Sequence, residues 1–107
     1  MSDVNFVPVL KVDELPLGRV KVVEVNGRRV ALAHCEEGVF AVDDVCTHDG
    51  GPLGEGELDG CAIECPRHGA QFDVRTGQVR RFPAVKPIRT YPVKVEDGQV
   101  YVAVAEG

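Results

Sequence analysis

The stretch CTHDGGPLGEGELDGCAIECPRH, residues 46–68, holds three of the four cysteines and two of the three histidines of this 107-residue chain. One residue separates Cys46 from His48, two separate Cys65 from His68, and sixteen lie between the two pairs. Thiolates and imidazoles are common protein ligands of zinc and of iron–sulfur clusters. This concentration of soft ligands therefore predicts a metal site held by two short ligand pairs.

The spacing within the pairs favours a binuclear site over a single zinc ion. Structural zinc sites usually pair Cys with Cys and His with His, with a few residues between the members. From a short turn, Cys46 and His48 would reach the same ion only with difficulty. In a cluster of two irons, the cysteines can hold one iron and the histidines the other, so that each loop spans the cluster. A zinc-stabilised interaction module without a redox role is the alternative from a different class.

The rest of the chain has the pattern of short β-strands. Residues 19–34 contain two β-rich runs joined by Asn26-Gly27, which is a strong hairpin signal, and residues 91–104 repeat that plan around a turn at 96–98. A helical turn is predicted within 12–16. No helical period is sustained, so the pattern predicts an all-β fold of stacked antiparallel sheets or a compact barrel.

The ligand-bearing stretch itself reads mostly as loop. Residues 46–60 include five glycines and a proline, which predicts a loop over that range. The run CAIEC that follows alternates Cys61, Ile63 and Cys65 on one face, as in a short strand. Two loops, each with one Cys–His pair, are therefore expected to extend from a β scaffold.

Composition and charge narrow the classes of function. The chain is 44% hydrophobic and 27% charged, as in ordinary soluble domains, and its length suits one domain. A formal net charge of −5 argues against nucleic acid as a partner. No apolar run approaches the ~20 residues of a membrane span. The N-terminus lacks the features of a signal peptide, so we expect a cytoplasmic protein with reduced thiols.

With its CTH and CPRHG pairs, the chain resembles the Rieske 2Fe–2S proteins. Its strand-rich N-terminal part resembles their base sheets, its Gly-rich segment resembles their cluster-binding insert of two loops, and residues 82–87 resemble the Pro-bearing third loop that covers the cluster. The resemblance implies a Rieske-like all-β fold, with residues 1–107 as a single domain and residues 43–83 as the cluster-binding subdomain.

The implied cofactor is one 2Fe–2S cluster, with Cys46 and Cys65 on the buried iron and His48 and His68 on the outer iron. Histidine ligation raises the reduction potential to roughly −150 to +300 mV, against about −400 mV for plant-type ferredoxins. The outer histidines are the expected exit for electrons. Their titration predicts a potential that falls as pH rises through the alkaline range.

Departures from the high-potential members imply the low-potential branch of the family. Those members join the two cluster loops by a disulfide, at positions held here by Gly51 and Arg67, and place Ser and Tyr hydroxyls where this chain has Ala70 and Phe72. Fewer donors to the sulfurs leave the reduced cluster less stabilised. The low-potential branch includes the ferredoxins of aromatic-ring-hydroxylating dioxygenase systems.

The implied function is a soluble ferredoxin that carries single electrons from a flavoprotein reductase to a terminal oxygenase by transient docking. It is a carrier and not an enzyme, because only His34 remains for the mononuclear iron that an oxygenase needs. An alternative with the same fold is the small subunit of an NADH-dependent nitrite reductase. It ranks lower, because many such subunits lack the ligand set that is complete here.

Several residues near the ligand pairs remain to be explained. A structural role is expected for His34 and Cys35, and Cys61 is expected to be a small buried thiol. A disulfide between Cys35 and Cys61 is disfavoured in a reducing compartment. The acidic residues that flank the first pair predict either part of an acidic docking surface or a solvated rim. They are Asp43, Asp44 and Asp49.

Overall fold

Strands make up nearly all of the regular structure in the described part of the chain. The computed structural model describes residues 6–45, 53–54, 56–66, 69–82 and 86–103. The helical turn predicted near the N-terminus is a 3-10 helix over Val12–Glu14. The strands formed by these residues are β1 (Phe6–Lys11), β2 (Val20–Val25), β3 (Arg28–Cys35), β4 (Gly38–Asp43), β5 (Glu57–Asp59), β6 (Ala62–Glu64), β7 (Gln71–Asp73), β8 (Val79–Arg81), β9 (Thr90–Tyr91), β10 (Val93–Glu96) and β11 (Gln99–Ala103).

The strands form three sheets in which neighbouring strands are antiparallel. The first sheet has the order β1-β11-β10, the second β2-β3-β4-β9, and the third β5-β6-β7-β8. This confirms the prediction of an all-β fold with antiparallel sheets. The third sheet lies within residues 43–83, and the boundaries of the cluster-binding subdomain stay a prediction. Among the described residues, no helix has the length and apolar content needed to cross a membrane.

Two of the hairpins follow from their turn residues. Asn26 and Gly27 have φ values of 50° and 82°, and Val25 pairs with Arg28, so the turn between β2 and β3 has two residues. Positive φ at both central residues defines the hairpin turn that matches strand twist. Asp97 and Gly98, with φ values of 52° and 76°, join β10 to β11 in the same way. Both predicted hairpins are therefore present.

The loop prediction for residues 46–60 is wrong at its end. Residues 57–59 form β5, which pairs with β6 through Leu58 and Ile63. A strand of three residues is too short to show the alternation of a strand, and the glycines on either side of β5 favour the prediction of a loop. The predicted strand after it is present as β6, and Cys61, Ile63 and Cys65 all pack on the same core.

The second sheet is the middle layer, because β3 buries side chains on both of its faces. Its residues Val30 and Leu32 belong to the first-sheet core, which lies between the first and second sheets. Its residues Ala31, Ala33 and Cys35 belong to the third-sheet core, which lies between the second and third sheets. The first-sheet core consists of Leu10, Leu15, Val25, Val30, Leu32, Ala41, Tyr91, Val100 and Val102. The third-sheet core consists of Ala31, Ala33, Cys35, Val42, Leu53, Ile63, Cys65, Ala70, Phe72, Val74 and Ile88.

Asp73 on β7 is a buried carboxylate that two arginines stabilise. Arg75 donates to it from Nε at 3.0 Å, from Nη2 at 2.8 Å and from its backbone amide at 2.9 Å, and Arg80 Nη1 lies 3.5 Å away. The hydrogen bond from the Arg75 side chain is the main cause that lowers the pKa of Asp73 below 3.8, against the opposing effect of burial. The folded state therefore favours the ionised form.

We expect this carboxylate to make stability depend on acid pH. A group with a depressed pKa in the folded state stabilises the protein above its unfolded pKa, and that contribution is lost as pH falls through the folded value. Asp73→Asn should therefore lower the free energy of unfolding by about 2 kcal/mol at pH 7, and by much less near pH 2. Urea unfolding of both proteins at the two pH values measures this. An equal difference at both would contradict it.

Candidate metal centre

Three loops begin or end on the third-sheet core. The first loop follows β4 and returns at Leu53, the second runs from Cys65 to Ala70, and the third returns at Ile88. The first three of these side chains are fully buried, and Ile88 is 4% exposed. All four belong to the same apolar core. The fold thus brings together the chain positions that flank the predicted ligand pairs.

Asp44 holds the two ends of the first loop together. Its Oδ1 accepts a hydrogen bond of 2.6 Å from the amide of Gly54, and its Oδ2 accepts one of 3.1 Å from Arg29 Nε. The Asp44 amide in turn donates to the Arg29 carbonyl oxygen at 3.2 Å. The Asp44 side chain is fully buried. This carboxylate therefore fixes where the loop that contains Cys46 and His48 leaves the scaffold and returns to it.

The prediction of an acidic docking surface or solvated rim is wrong for Asp44. Its carboxylate is used inside the protein, because it satisfies the loop amide and pairs with Arg29. Asp43 is half-buried and accepts a hydrogen bond from the Tyr91 hydroxyl. Burial and this neighbouring carboxylate raise the pKa of Tyr91. Asp49 lies outside the described residues.

Cys65 occupies the neck of the second loop. Its amide donates to the Ala70 carbonyl oxygen at 2.7 Å, and the Gly69 amide donates to the Cys65 carbonyl oxygen at 3.0 Å, so the backbone returns on itself there. Gly69 has a φ of 76°, which suits this tight return. Cys65 is a fully buried free cysteine. The other predicted ligands, Cys46, His48 and His68, lie outside the described residues.

The one predicted ligand that the structure describes, Cys65, fits a Rieske-type cluster. Cys65 is a free cysteine at the point where three loops converge, and the apolar core around it would keep water away from a metal bound there. The described residues contain no group of three or more His, Cys, Asp or Glu that could hold a metal ion. The cluster would be held by Cys46, His48, Cys65 and His68, and it would supply one-electron redox chemistry. Ala70 and Phe72, both fully buried beside Cys65, bring no hydroxyl to it.

Cys35 and Cys61 form a disulfide, with their Cα atoms 5.2 Å apart. The prediction of a buried free thiol at Cys61 is therefore wrong, and so is the argument against the bond. Cys35 is the last residue of β3, and Cys61 precedes β6. Packing of the second sheet on the third brings the two residues together across a sequence separation of 26. The sequence shows no local sign of this proximity.

His34 has the structural role that the sequence predicts. Its Nδ1 lies 2.8 Å from the carbonyl oxygen of Leu15, which follows the 3-10 helix. The His34 amide also donates to the Arg19 carbonyl oxygen at 3.1 Å, and the His34 carbonyl oxygen accepts a hydrogen bond of 2.7 Å from the Gly18 amide. His34 thus fastens the chain before β2 against β3.

Two curated relatives are similar to nearly the whole chain. The ferredoxin component of the naphthalene 1,2-dioxygenase/salicylate 5-hydroxylase systems of Ralstonia sp. is 42% identical over 96 residues, which cover 90% of this chain and 92% of the relative. The 3-phenylpropionate/cinnamic acid dioxygenase ferredoxin subunit of Photorhabdus laumondii is 44% identical over 99 residues, with 92% and 93% covered.

Solved structures show the same likeness. The ferredoxin of carbazole 1,9a-dioxygenase from Nocardioides aromaticivorans IC177 superposes with a TM-score of 0.88 at 34% identity, over 92% of this chain and 97% of that one. A ferredoxin in complex with the oxygenase of carbazole 1,9a-dioxygenase reaches 0.86 at 35% identity, over 92% of both chains. A Mycobacterium tuberculosis protein described as the small subunit of an NADH-dependent nitrite reductase reaches 0.86 over 98% of this chain and 99% of its own. At 24% identity, this last match shows the fold alone.

The match to a family model covers most of the chain. Residues 5–92 match the model of the Rieske 2Fe-2S domain, and this range includes the three sheets apart from β10 and β11. Fold, loop arrangement and sequence similarity agree with that assignment. This chain belongs to the Rieske 2Fe-2S domain family.

Proposed function

We propose that this protein is a low-potential Rieske ferredoxin that carries single electrons from a flavoprotein reductase to the terminal oxygenase of an aromatic-ring-hydroxylating system. The observation that carries the proposal is a fully buried free thiol, Cys65, at the point where three loops meet in a chain that matches dioxygenase ferredoxins over nine tenths of its length. The ligands are Cys46, His48, Cys65 and His68. The protein acts as a carrier, and the oxygenase carries out the oxygen chemistry.

An EPR-monitored redox titration of the purified protein tests this proposal. A rhombic signal with an average g below the free-electron value, which appears on reduction near the lower end of the Rieske range, supports a ferredoxin. A high potential would contradict the low-potential assignment. Zinc in place of iron in the metal analysis would refute electron transfer and favour a zinc-stabilised module. Reduction by a nitrite reductase large subunit, with no transfer to any oxygenase, would favour the nitrite reductase alternative.

Exposed apolar side chains stand next to both predicted ligand pairs. Phe82 is 78% exposed and follows Arg81, which pairs with Gln71 beside the end of the second loop. Val45 is 45% exposed and immediately precedes Cys46. Exposed apolar residues close to a functional site are typical of docking surfaces. We therefore assign Phe82 and Val45 to the surface that meets the redox partners.

Phe82→Ala should slow electron transfer to the oxygenase about tenfold and leave the reduction potential unchanged. An aromatic anchor at the centre of an interface typically contributes more than about 1 kcal/mol to binding. Stopped-flow oxidation of the reduced ferredoxin by its oxygenase measures the rate. Val95→Ala is the matched control, because Val95 is 48% exposed but lies on β10 in the first sheet. Equal rates of electron transfer for the wild type and Phe82→Ala would show that Phe82 is not part of the docking surface.

Phe72→Tyr should raise the reduction potential by about 40 mV. Phe72 is fully buried in the core that contains Cys65, and a hydroxyl there could donate to a sulfur. A net hydrogen bond is worth about 1 kcal/mol, and 59 mV corresponds to a tenfold change in a one-electron couple. Protein-film voltammetry of the variant measures the shift. Phe72→Leu, which adds no donor, should show no such rise, and a rise there would refute the hydrogen-bond explanation.

A further inference from the structure

The disulfide between Cys35 and Cys61 joins the second sheet to the third. Cys35 ends β3 in the middle layer, and Cys61 lies in the turn between β5 and β6. The carbonyl oxygen of Cys61 accepts a hydrogen bond of 2.8 Å from the amide of Val74, which fixes this turn to the chain after β7. The disulfide therefore links the second sheet to the third sheet, whose strand β6 leads directly to Cys65.

The ring that this bond closes contains the whole first loop. Residues 36–60 lie between the two cysteines, so the ring includes β4, the segment with Cys46 and His48, and β5. A crosslink stabilises a folded protein mainly by limiting the freedom of the chain when it opens. An ion pair between Glu37 and Arg75 connects the same two sheets beside the disulfide. When the bond is open, that exposed pair, the apolar core and the hydrogen bonds of Asp44 still hold the first ligand loop in place, without a covalent link between the sheets.

The disulfide borders a groove at the protein surface. Cys35 is itself 3% exposed, but it lines a groove of about 160 Å³, and Cys61 is half-buried in its turn. The other residues that line the groove are Leu17, Gly18, Glu36, Leu58 and Gly60. Leu17 is 61% exposed, so an apolar side chain lies at the edge of the groove, open to solvent. The groove gives a reductant its approach to the bond on the Cys35 side.

We propose that Cys35–Cys61 is a thiol–disulfide exchange site at which a dithiol reductant removes the covalent link between the second sheet and the third. A thiolate of the reductant attacks one sulfur, the S–S bond breaks, and a mixed disulfide forms. The second thiol of the reductant then displaces it. Two electrons and two protons pass to the cysteines, which become thiols, and the reductant leaves as a disulfide. Loss of this crosslink would shorten the lifetime of the loaded protein.

Reduction of the cluster-loaded wild-type protein by dithiothreitol tests the site. Alkylation and mass spectrometry should find Cys35 and Cys61 blocked before treatment and modified after it. The reduced protein should melt about 10 °C lower, and its visible absorbance should decay about tenfold faster at a fixed temperature. The double variant Cys35→Ser/Cys61→Ser should behave like the reduced wild type and should not respond to the reductant.

The outcomes separate this inference from the proposed function. The alkylation pattern does not depend on the cluster, and the effect of reduction on melting is expected with or without it, whereas the absorbance decay rests on the proposed function. Alkylation of both cysteines before reduction, or melting that reduction leaves unchanged, would overturn the exchange site. A shifted melting temperature in a protein without iron would support the site and count against the ferredoxin assignment. If the double variant fails to fold, the comparison of oxidised and reduced wild type still decides the question.

Discussion

Cys65→Ser is expected to give a folded protein that has lost its iron–sulfur absorbance. Cys65 is fully buried at the neck of the second loop, where its amide and carbonyl group hold the backbone return. A serine hydroxyl is a poor replacement for a thiolate on a soft metal. The backbone hydrogen bonds do not involve the side chain, so the fold should survive with a loss of about 1–3 kcal/mol for a buried hydroxyl.

Iron and sulfide analysis with circular dichroism distinguishes loss of the cluster from loss of the fold. The double variant Cys35→Ser/Cys61→Ser is the matched control, because it removes two cysteines that bond to each other and not to the cluster. It should contain as much iron as the wild type when freshly purified. A Cys65→Ser protein with full iron content would show that Cys65 is not a ligand.

Gly54→Ala is expected to lower the free energy of unfolding by about 3 kcal/mol and to reduce the iron content. A Cβ atom at this position would lie 2.0 Å from Val22 Cγ2 and 3.0 Å from Asp44 Oδ1. The first distance is impossible and the second is too short by a few tenths of an ångström, so the Val22 side chain or the loop that Asp44 closes must shift. Val22→Ala removes the closer atom and should partly rescue the variant. The measurement is a double-mutant cycle by urea unfolding.

Gly60→Ala is the control for this prediction. A Cβ at Gly60 meets nothing within 4 Å, and its φ of 63° costs only backbone strain, roughly 1 kcal/mol. This variant should retain its iron. If the effects of Gly54→Ala and Val22→Ala were additive, the steric argument would fail.

The parts of the fold that follow from local rules could be predicted from the sequence. The geometry of the turns at Asn26-Gly27 and Asp97-Gly98 could be predicted from these residues alone, because both central residues of each turn tolerate positive φ. The third sheet could not be predicted in full, since β5, β7 and β8 have three residues each. Strands of that length are specified by their neighbours more than by their own pattern.

The predicted site divides in the same way. The two ligand pairs could be predicted because the members of each pair are close in sequence; Cys65 is buried at the neck of a loop, and the ligand set itself stays a prediction. Asp44 and the pair Cys35–Cys61 were misjudged, because their partners are 10 and 26 residues away and meet them only through sheet packing. In a sequence, a carboxylate beside a predicted ligand is indistinguishable from a surface charge, because the loop amide to which it bonds is not its neighbour in the chain.

Strand β3 belongs to two cores at once, and this has a mechanical consequence. Val30 and Leu32 lie on one face and Ala31 and Ala33 on the other, all fully buried, so the two cores share β3 as a common wall. If β3 detached from the third sheet, it would also withdraw support from the first. Unfolding of the end that carries the loops should therefore unfold the rest of the protein as well. A destabilising change near the redox centre should lower the stability of the whole molecule, which unfolds in one cooperative transition.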